Sequence, residues 1–283
     1  MFNMEYFFMN IYQMIKIFTM VKDESDIIKD WLLYHGSIFG LDNIFIIDNY
    51  SNDGTYEILE KYQNIIHLSR EEDYKLKGTY IKDLIDNNCL DDDIIIPIDA
   101  DEFLVYYENN AISTNKNKII NYIKSLPKYD IYKIKYINTF IESNNKYGYK
   151  RATIQCNYGY YEKYSKSFFK KSLYSGNIDH CFNLKDDNNY LTNISFIHYK
   201  YRNLEQILNK IKNNIIGLGY KYDYEWLKKY IKENPRCLGY DNIINQINIF
   251  ESTFKMYNAN IINDIPLIVD LNIFINHINN LPN

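Results

Sequence analysis

No two of the four cysteines (Cys89, Cys156, Cys181 and Cys237) form a C-x-x-C pair. That argues against zinc held by cysteine, and a disulfide framework is not indicated in a chain of 283 residues. There is no basic excess either: the formal net charge is −4, and Lys and Arg are scattered rather than clustered, which argues against a nucleic-acid partner. No apolar run reaches the roughly 18 residues that a membrane-spanning helix needs. The opening stretch "MFNMEYFFMNIYQMIKIFTMV" is broken by Glu5, Asn10, Gln13 and Lys16 and lacks a basic start and a small-residue cleavage site. The expectation is a cytoplasmic protein without an integral membrane segment. Pro/Gly-rich linkers and internal repeats are missing as well, so nothing marks a domain boundary.

What is present is alternation. "IKIFTMV" (15–21) reads as a buried strand, and "SDIIKDWLLYHGSIFG" (25–40) carries apolar residues at helical spacing and closes on Gly40. "NIFIID" (43–48), "NIIHLS" (64–69) and "DIIIPID" (93–99) read as strands. "DGTYEILEKY" (53–62), with Asp53 as N-cap, and "KGTYIKDLIDNNC" (77–89) read as helices between them. Strand–helix alternation with short connections predicts an α/β fold, a parallel sheet covered on both faces. Ligands bind such sheets beyond the carboxyl ends of the strands. After residue 105 the pattern changes: a helix at 115–127, strands at 130–141, 166–175 and 193–201, and amphipathic helices at 203–219 and 241–257. The stretch 143–166 is polar and aromatic without clear period and reads as a loop over the site.

Two loops carry the chemistry. "IIDNYSNDGT" sets Asp48, Asn49, Ser51 and Asp53 between a strand and a helix start, where acceptors and backbone amides suit a nucleoside. The bland alternative is a capped turn. "DDDIIIPIDADEFLV" (91–105) ends an apolar strand on Asp99 and Asp101. In extended backbone those two side chains share one side of the chain. Close carboxylates repel, so either they stand in water or something positive joins them. Hard cations such as Mg²⁺ or Mn²⁺ take this kind of oxygen donor, often together with substrate phosphates.

"VKDESDIIKDWLLYHGSIFGLDNIFIIDNYSNDGT", followed by "PIDADEFL", resembles the family 2 and family 92-like glycosyltransferases of the GT-A fold, with their pattern K-N-E…E-W-x-x-Y-H…D-N-x-S-x-D-G-T…D-x-D-E-F. "SLPKYD", "KSFFKKSL", "DH" at 179–180 and "FIHYKYRNLEQILNKIKNNIIGLG" extend the likeness to about residue 220. It implies a GT-A domain over 1–220, with a nucleotide-binding half (15–105) and an acceptor half (106–220). Residues 221–283 then form a helical extension packed on the same domain. Lys22, Asp23 and Glu24 would lie at the base of the nucleotide. Asp48 would sit near the uracil or ribose, with Asn49, Ser51 and Asp53 shaping its loop. Asp99 would lie near ribose and metal, Asp101 would bind Mn²⁺ (or Mg²⁺) directly, and His198 would complete the metal site, with His180 as the competing histidine. The chain departs from the pattern at Asp23, which replaces the usual Asn. It also lacks the usual Gln-plus-small signature before the D-x-D, where Lys75 or Lys77 stands instead.

The implied activity is hexosyltransferase-type: a metal-dependent, inverting transfer from a UDP-sugar to a hydroxyl of a glycan, protein or lipid. Asp179 is the candidate base, with Glu102 or Glu142 next in line. Two other readings stay open. A haloacid-dehalogenase-like phosphatase also uses D-x-D, but expects it on the first strand with Thr or Val where Phe103 stands. A nucleotide-sugar-binding module without turnover is the other. A nucleotidyltransferase is disfavoured, because "MVKDES" after the first strand has no glycine.

Overall fold

The computed structural model describes residues 13–139, 151–155, 166–173, 188–199, 204–234 and 268–282, together with 244 and 248. The first half runs β1 (Ile15–Val21), α1 (Ile28–Phe39), β2 (Ile44–Asp48), α2 (Thr55–Glu60), β3 (His67–Arg70), α3 (Lys77–Asn88) and β4 (Ile94–Pro97). Then come β5 (Glu102–Glu108), β6 (Ala111–Ser113), α4 (Lys116–Lys124), β7 (Ile131–Thr139), β8 (Arg151–Gln155), β9 (Ser167–Lys170) and β10 (Asn189–His198). Helices α5 (Leu204–Gly217) and α6 (Tyr224–Glu233) follow, and the chain's last described elements are β11 (Ile268–Asp270) and α7 (Asn272–Asn279).

Among the described residues the strands form one mixed sheet in the order β3-β2-β1-β4-β9-β7-β10-β5-β6, with β8 on β7 and β11 on β8. The β3-β2-β1-β4 part is parallel throughout. Strand β9 joins it antiparallel to β4, and β7 and β10 pair parallel within the second half. The fold is α/β, as the alternation predicted, but the sheet is parallel only over β3-β2-β1-β4 and is mixed as a whole. Side-chain period explains its two cores. Ile17 and Val21 of β1 pack under α1 with Trp31, Leu32 and Ile38. Phe18 and Met20 point to the other face and meet Ile81 and Ile85 of α3. Helix α1 stops at Gly40, whose φ of 91° is open to glycine without strain and lets its amide bond Gly36 O.

Several boundaries differ from the sequence expectation. Asp53 is not the N-cap of α2; Gly54 is, and the helix is only Thr55–Glu60. The strand expected over 64–69 starts at His67, because the amides of Ile65 and Ile66 still turn back onto Tyr62 O. The strand expected to run to Asp99 ends at Pro97. The C-terminal segment is not helix alone: β11 pairs antiparallel with β8. Helix α7 then lays Phe274 against Tyr34 and Phe103, with ring centroids 5.3 and 5.0 Å away. Among the described residues no helix is long and apolar enough to cross a membrane.

Candidate active site

Beyond Pro97 the chain leaves the sheet. The amide of Glu102 bonds Asp99 O at 3.1 Å, so Asp99, Ala100 and Asp101 form a turn between β4 and β5 rather than the end of an extended strand. The two aspartates therefore meet different partners. Asp99 Oδ1 faces Lys77 Nζ at 3.0 Å and Oδ2 faces Lys166 Nζ at 2.5 Å. Lys166 also reaches Glu102 Oε2 at 2.7 Å, and that same oxygen accepts from the Asp99 amide at 2.9 Å. Loss of water around Asp99 would push its carboxyl up, but Lys166 and then Lys77 outweigh this and hold it well below the usual carboxylate range. Burial pushes Glu102 up, and Lys166 offsets this only in part.

Asp101 turns to the second half of the chain. Its side chain is 1% exposed; Oδ2 pairs with Lys210 Nζ of α5 and lies 3.5 Å from His198 Nε2 at the end of β10. Its carbonyl accepts from the Tyr199 amide at 2.8 Å, which ties the turn to β10. Among the described residues, lysines from α3, from the residue ahead of β9 and from α5 thus meet these carboxylates.

The loop after β2 is built as a braced turn. Lys22 Nζ donates to Asn49 O at 2.8 Å and also to Tyr50 O. Asn49 Nδ2 donates to the carbonyls of Glu71 and Glu72 at 2.6 and 2.7 Å. Ser51 Oγ accepts from the Asp23 amide, and Asp23, at φ 53°, accepts from the Asn52 amide through Oδ1. Asp53 accepts from the amides of Thr55 and Ser25 and from the Thr55 hydroxyl. Burial pushes the Asp53 carboxyl up, but these hydrogen bonds pull it further down, leaving it below its ordinary value. Asp48, fully buried, accepts from Arg70 Nε at 3.0 Å and from the Ser51 amide. The Arg70 guanidinium lies over Tyr56 and Tyr50, 4.0 and 4.6 Å from their ring centroids. Asp48, Asn49, Ser51 and Asp53 thus stand where the sequence put them, at the carboxyl edge, with side chains engaged in holding the loop.

The Y-H pair of "DWLLYHG" acts from behind. Tyr34 Oη donates to Leu104 O at 2.7 Å, and the Leu104 amide donates to His35 Nε2 at 3.3 Å. His35 Nδ1 in turn donates to Trp31 O at 2.9 Å. Both backbone groups of Leu104 are thereby fixed to α1, which anchors the strand that follows the D-x-D turn. Burial lowers the His35 pKa to about 3, so the ring stays neutral.

Asp179, His180 and Glu142, and most of the expected loop 143–166, lie outside the described residues. The structure brings Glu24, Asp99, Asp101 and His198 to one edge of the sheet. Sequence reasoning passed over Lys166 and Lys210, and it named Lys77 only as a substitute for a missing signature. A single lysine ahead of "SFF", or on the polar face of an amphipathic helix, carries no local signal. Arg70, at the end of the third expected strand, was equally silent.

The donor set does not fit a bound Mn²⁺ or Mg²⁺ as it stands. Among the described residues no three His, Cys, Asp or Glu side chains converge as a metal-binding group. Asp101 and His198 are the pair that approaches one, and the Asp101 oxygen facing His198 already carries the Lys210 ammonium. Asp99, expected as a second ligand, has each oxygen on a lysine.

No family model matches the chain, and no curated protein does. Among solved structures, residues 1–349 of S. aureus TarS align at 11% identity, over 87% of this chain and 74% of that one, with a TM-score of 0.42. The larger TarS chain aligns at a TM-score of 0.41, with only 45% of its length covered. Glucosyl-3-phosphoglycerate synthase from Mycobacterium tuberculosis, in complex with Mg²⁺ and uridine diphosphate, aligns at 11% identity over 74% of this chain and 81% of that one, with a TM-score of 0.40. These are likenesses of chain path, and the functional reading rests on the site.

Proposed function

We propose that the chain is a glycosyltransferase that moves a sugar from a nucleotide-sugar, a UDP-sugar, to a hydroxyl acceptor. The observation that carries this reading is the convergence of Lys77, Lys166 and Lys210 on the D-x-D turn, beyond the carboxyl end of a β3-β2-β1-β4 parallel sheet. Cations at that edge suit a diphosphate, because charge grows on the leaving group as the glycosidic bond breaks. The braced loop of Asp48 to Asp53, with Tyr50 47% exposed beside Arg70, offers a flat surface and backbone groups for the base and ribose.

The chain's own residues have separable tasks in this scheme. Lys210, the most exposed of the three, faces the diphosphate while Lys77 and Lys166 offset Asp99 and Glu102 beneath it, and the clamp from Tyr34 and His35 onto Leu104 keeps the turn in register. The acceptor hydroxyl must lose its proton on the face opposite the leaving group, giving inversion. Asp179 is the residue proposed for that proton. Glu102 is unsuited to it, being buried against Lys166 and the Asp99 amide.

A panel of nucleotide-sugars, each incubated with the protein in Mn²⁺ and in EDTA, tests the reading by release of nucleoside diphosphate. Release from one donor, in either condition, supports it. Release of phosphate from simple monoesters with no donor turned over would replace it with the phosphatase, and donor binding without release would replace it with the binding module.

A further inference from the structure

Helix α5 delivers a lysine to the carboxylate that the D-x-D pattern reserves for a metal. Lys210 Nζ pairs with Asp101 Oδ2, the oxygen 3.5 Å from His198 Nε2, and lies 3.9 Å from Glu24 Oε1. One turn on, Asn213 Nδ2 donates to Asp23 Oδ2 at 2.7 Å. Residues three apart share a helix face, so this face of α5 is fixed at once to the turn after β1 and to the turn after β4. Lys210 therefore does not rest on Asp101 as one surface rotamer among many; its helix is held there by a second bond.

The electrostatics point the same way. A carboxylate 1% exposed needs a counter-charge, and leaving it unpaired is costly. The Lys210 side chain keeps 31% exposure, so its ammonium faces both the carboxylate and the solvent from which an anion arrives. A divalent ion at Asp101 would have to displace this ammonium or stand beside it, and two cations on one oxygen repel.

We propose that Lys210 is the resident cation of the site: its ammonium takes the place of a divalent ion at Asp101 and binds the diphosphate of the donor. Lys77 and Lys166, on the two oxygens of Asp99, offset that carboxylate so that it does not repel the incoming anion. The inference rests on the transferase reading, because it needs a diphosphate to arrive. It departs from the metal dependence that the sequence resemblance implies.

The test uses two titrations on the full chain: Mn²⁺ into nucleotide-free protein, followed by the paramagnetic resonance of free Mn²⁺, and UDP by calorimetry in EDTA or in Mn²⁺. Wild type, Lys210→Met and Lys210→Arg are compared, with circular dichroism melts to check that each is folded. The expected result is UDP binding by wild type in EDTA without stoichiometric Mn²⁺ uptake. Lys210→Met should lose at least about tenfold in UDP affinity, the scale of one charge-assisted hydrogen bond, and should take up Mn²⁺ at the vacated carboxylate. Lys210→Arg should keep UDP binding. Wild-type UDP binding that requires Mn²⁺ and is unchanged in Lys210→Met overturns the assignment and leaves the transferase standing. Stoichiometric Mn²⁺ uptake by nucleotide-free wild type also overturns it. No UDP binding by wild type in either condition overturns the UDP-sugar reading and the assignment with it.

Discussion

Lys166 Nζ lies 2.7 Å from Glu102 Oε2, with the side chains 7% and 1% exposed. A buried pair of this kind adds little over a well-packed apolar substitute, yet breaking it from one side is expensive. Lys166→Met is expected to destabilise the fold by about 3 kcal/mol at neutral pH, read from the urea midpoint. Because burial already pushes Glu102 up, the orphaned carboxyl can take a proton instead. The deficit should therefore shrink as pH falls from 7 towards 5, and Glu102→Gln in the same background should remove that pH dependence. A deficit that stays constant over this range would show that Glu102 does not depend on the ammonium.

With Lys210 as the proposed resident cation, Asp101 acts through that neighbour, and its replacement should change donor binding before chemistry. Asp101→Asn keeps the shape and removes the charge that holds Lys210. A rise of about tenfold in donor KM, with a smaller change in kcat, is the expected split. A fall in kcat with donor KM unchanged would mean instead that Asp101 acts only in the transition state.

His35 makes the fold acid-sensitive. Its unfolded value is 6.5 and its folded value about 3. The folded-state pKa is depressed, so the unfolded chain binds more protons between those values. Stability is complete above about pH 6.5 and is lost progressively as pH falls towards 3, by an amount on the order of 3–5 kcal/mol. The carboxylates with depressed values, Asp99 and Asp53, add to the loss at the acid end. Proton NMR of the imidazoles checks this directly: the His35 ring should remain neutral at pH 5, and a His35 titration near 6.5 would contradict it.

Between β5 and β6, Asn109 and Asn110 have φ of 50° and 62°. Two consecutive positive angles make the turn that suits a tight hairpin, and asparagine tolerates them better than a branched residue. Asn109→Gly should leave thermal stability level or raise it slightly, whereas Asn109→Val should lower it by about 1–2 kcal/mol. Equal melting temperatures for the two variants would refute the strained-turn account.

That hairpin also marks a limit of legibility. "EFLVYYENNAIS" carries the dipeptide and flanking strand residues of a turn, but Asn-Asn also stands at 87–88 and 213–214, inside helices, so the dipeptide alone does not mark one. The parallel half was readable because each strand is a short apolar run closed by turn residues, and β1, β2 and β4 appear within a few residues of their expected ends. The loop residues Asp48 to Asp53 were legible for the same reason: polar side chains between a strand and a helix start have few places to go. What could not be read was which cation meets which carboxylate. Asp99 and Lys166 are 67 positions apart, and Asp101 and Lys210 are 109 apart, so only the tertiary path of β9 and α5 pairs them. The turn at 99–101 sends the two carboxylates to different partners, where extended backbone would have put them on one side of the chain.

Phe274 and His277 give α1 a late partner. Tyr34, whose hydroxyl steadies Leu104, has one flank of its ring against Phe274, and Ser37 one turn along meets His277 Nε2 at 3.1 Å. A nascent polypeptide that has emerged only as far as β10 already contains the whole parallel layer and its acidic turn, but the aromatic underside of α1 is still wet. Sealing of that face on the ribosome is expected to wait for residues translated more than 200 codons after the helix, and chaperone occupancy of stalled chains should drop once that closing segment is out.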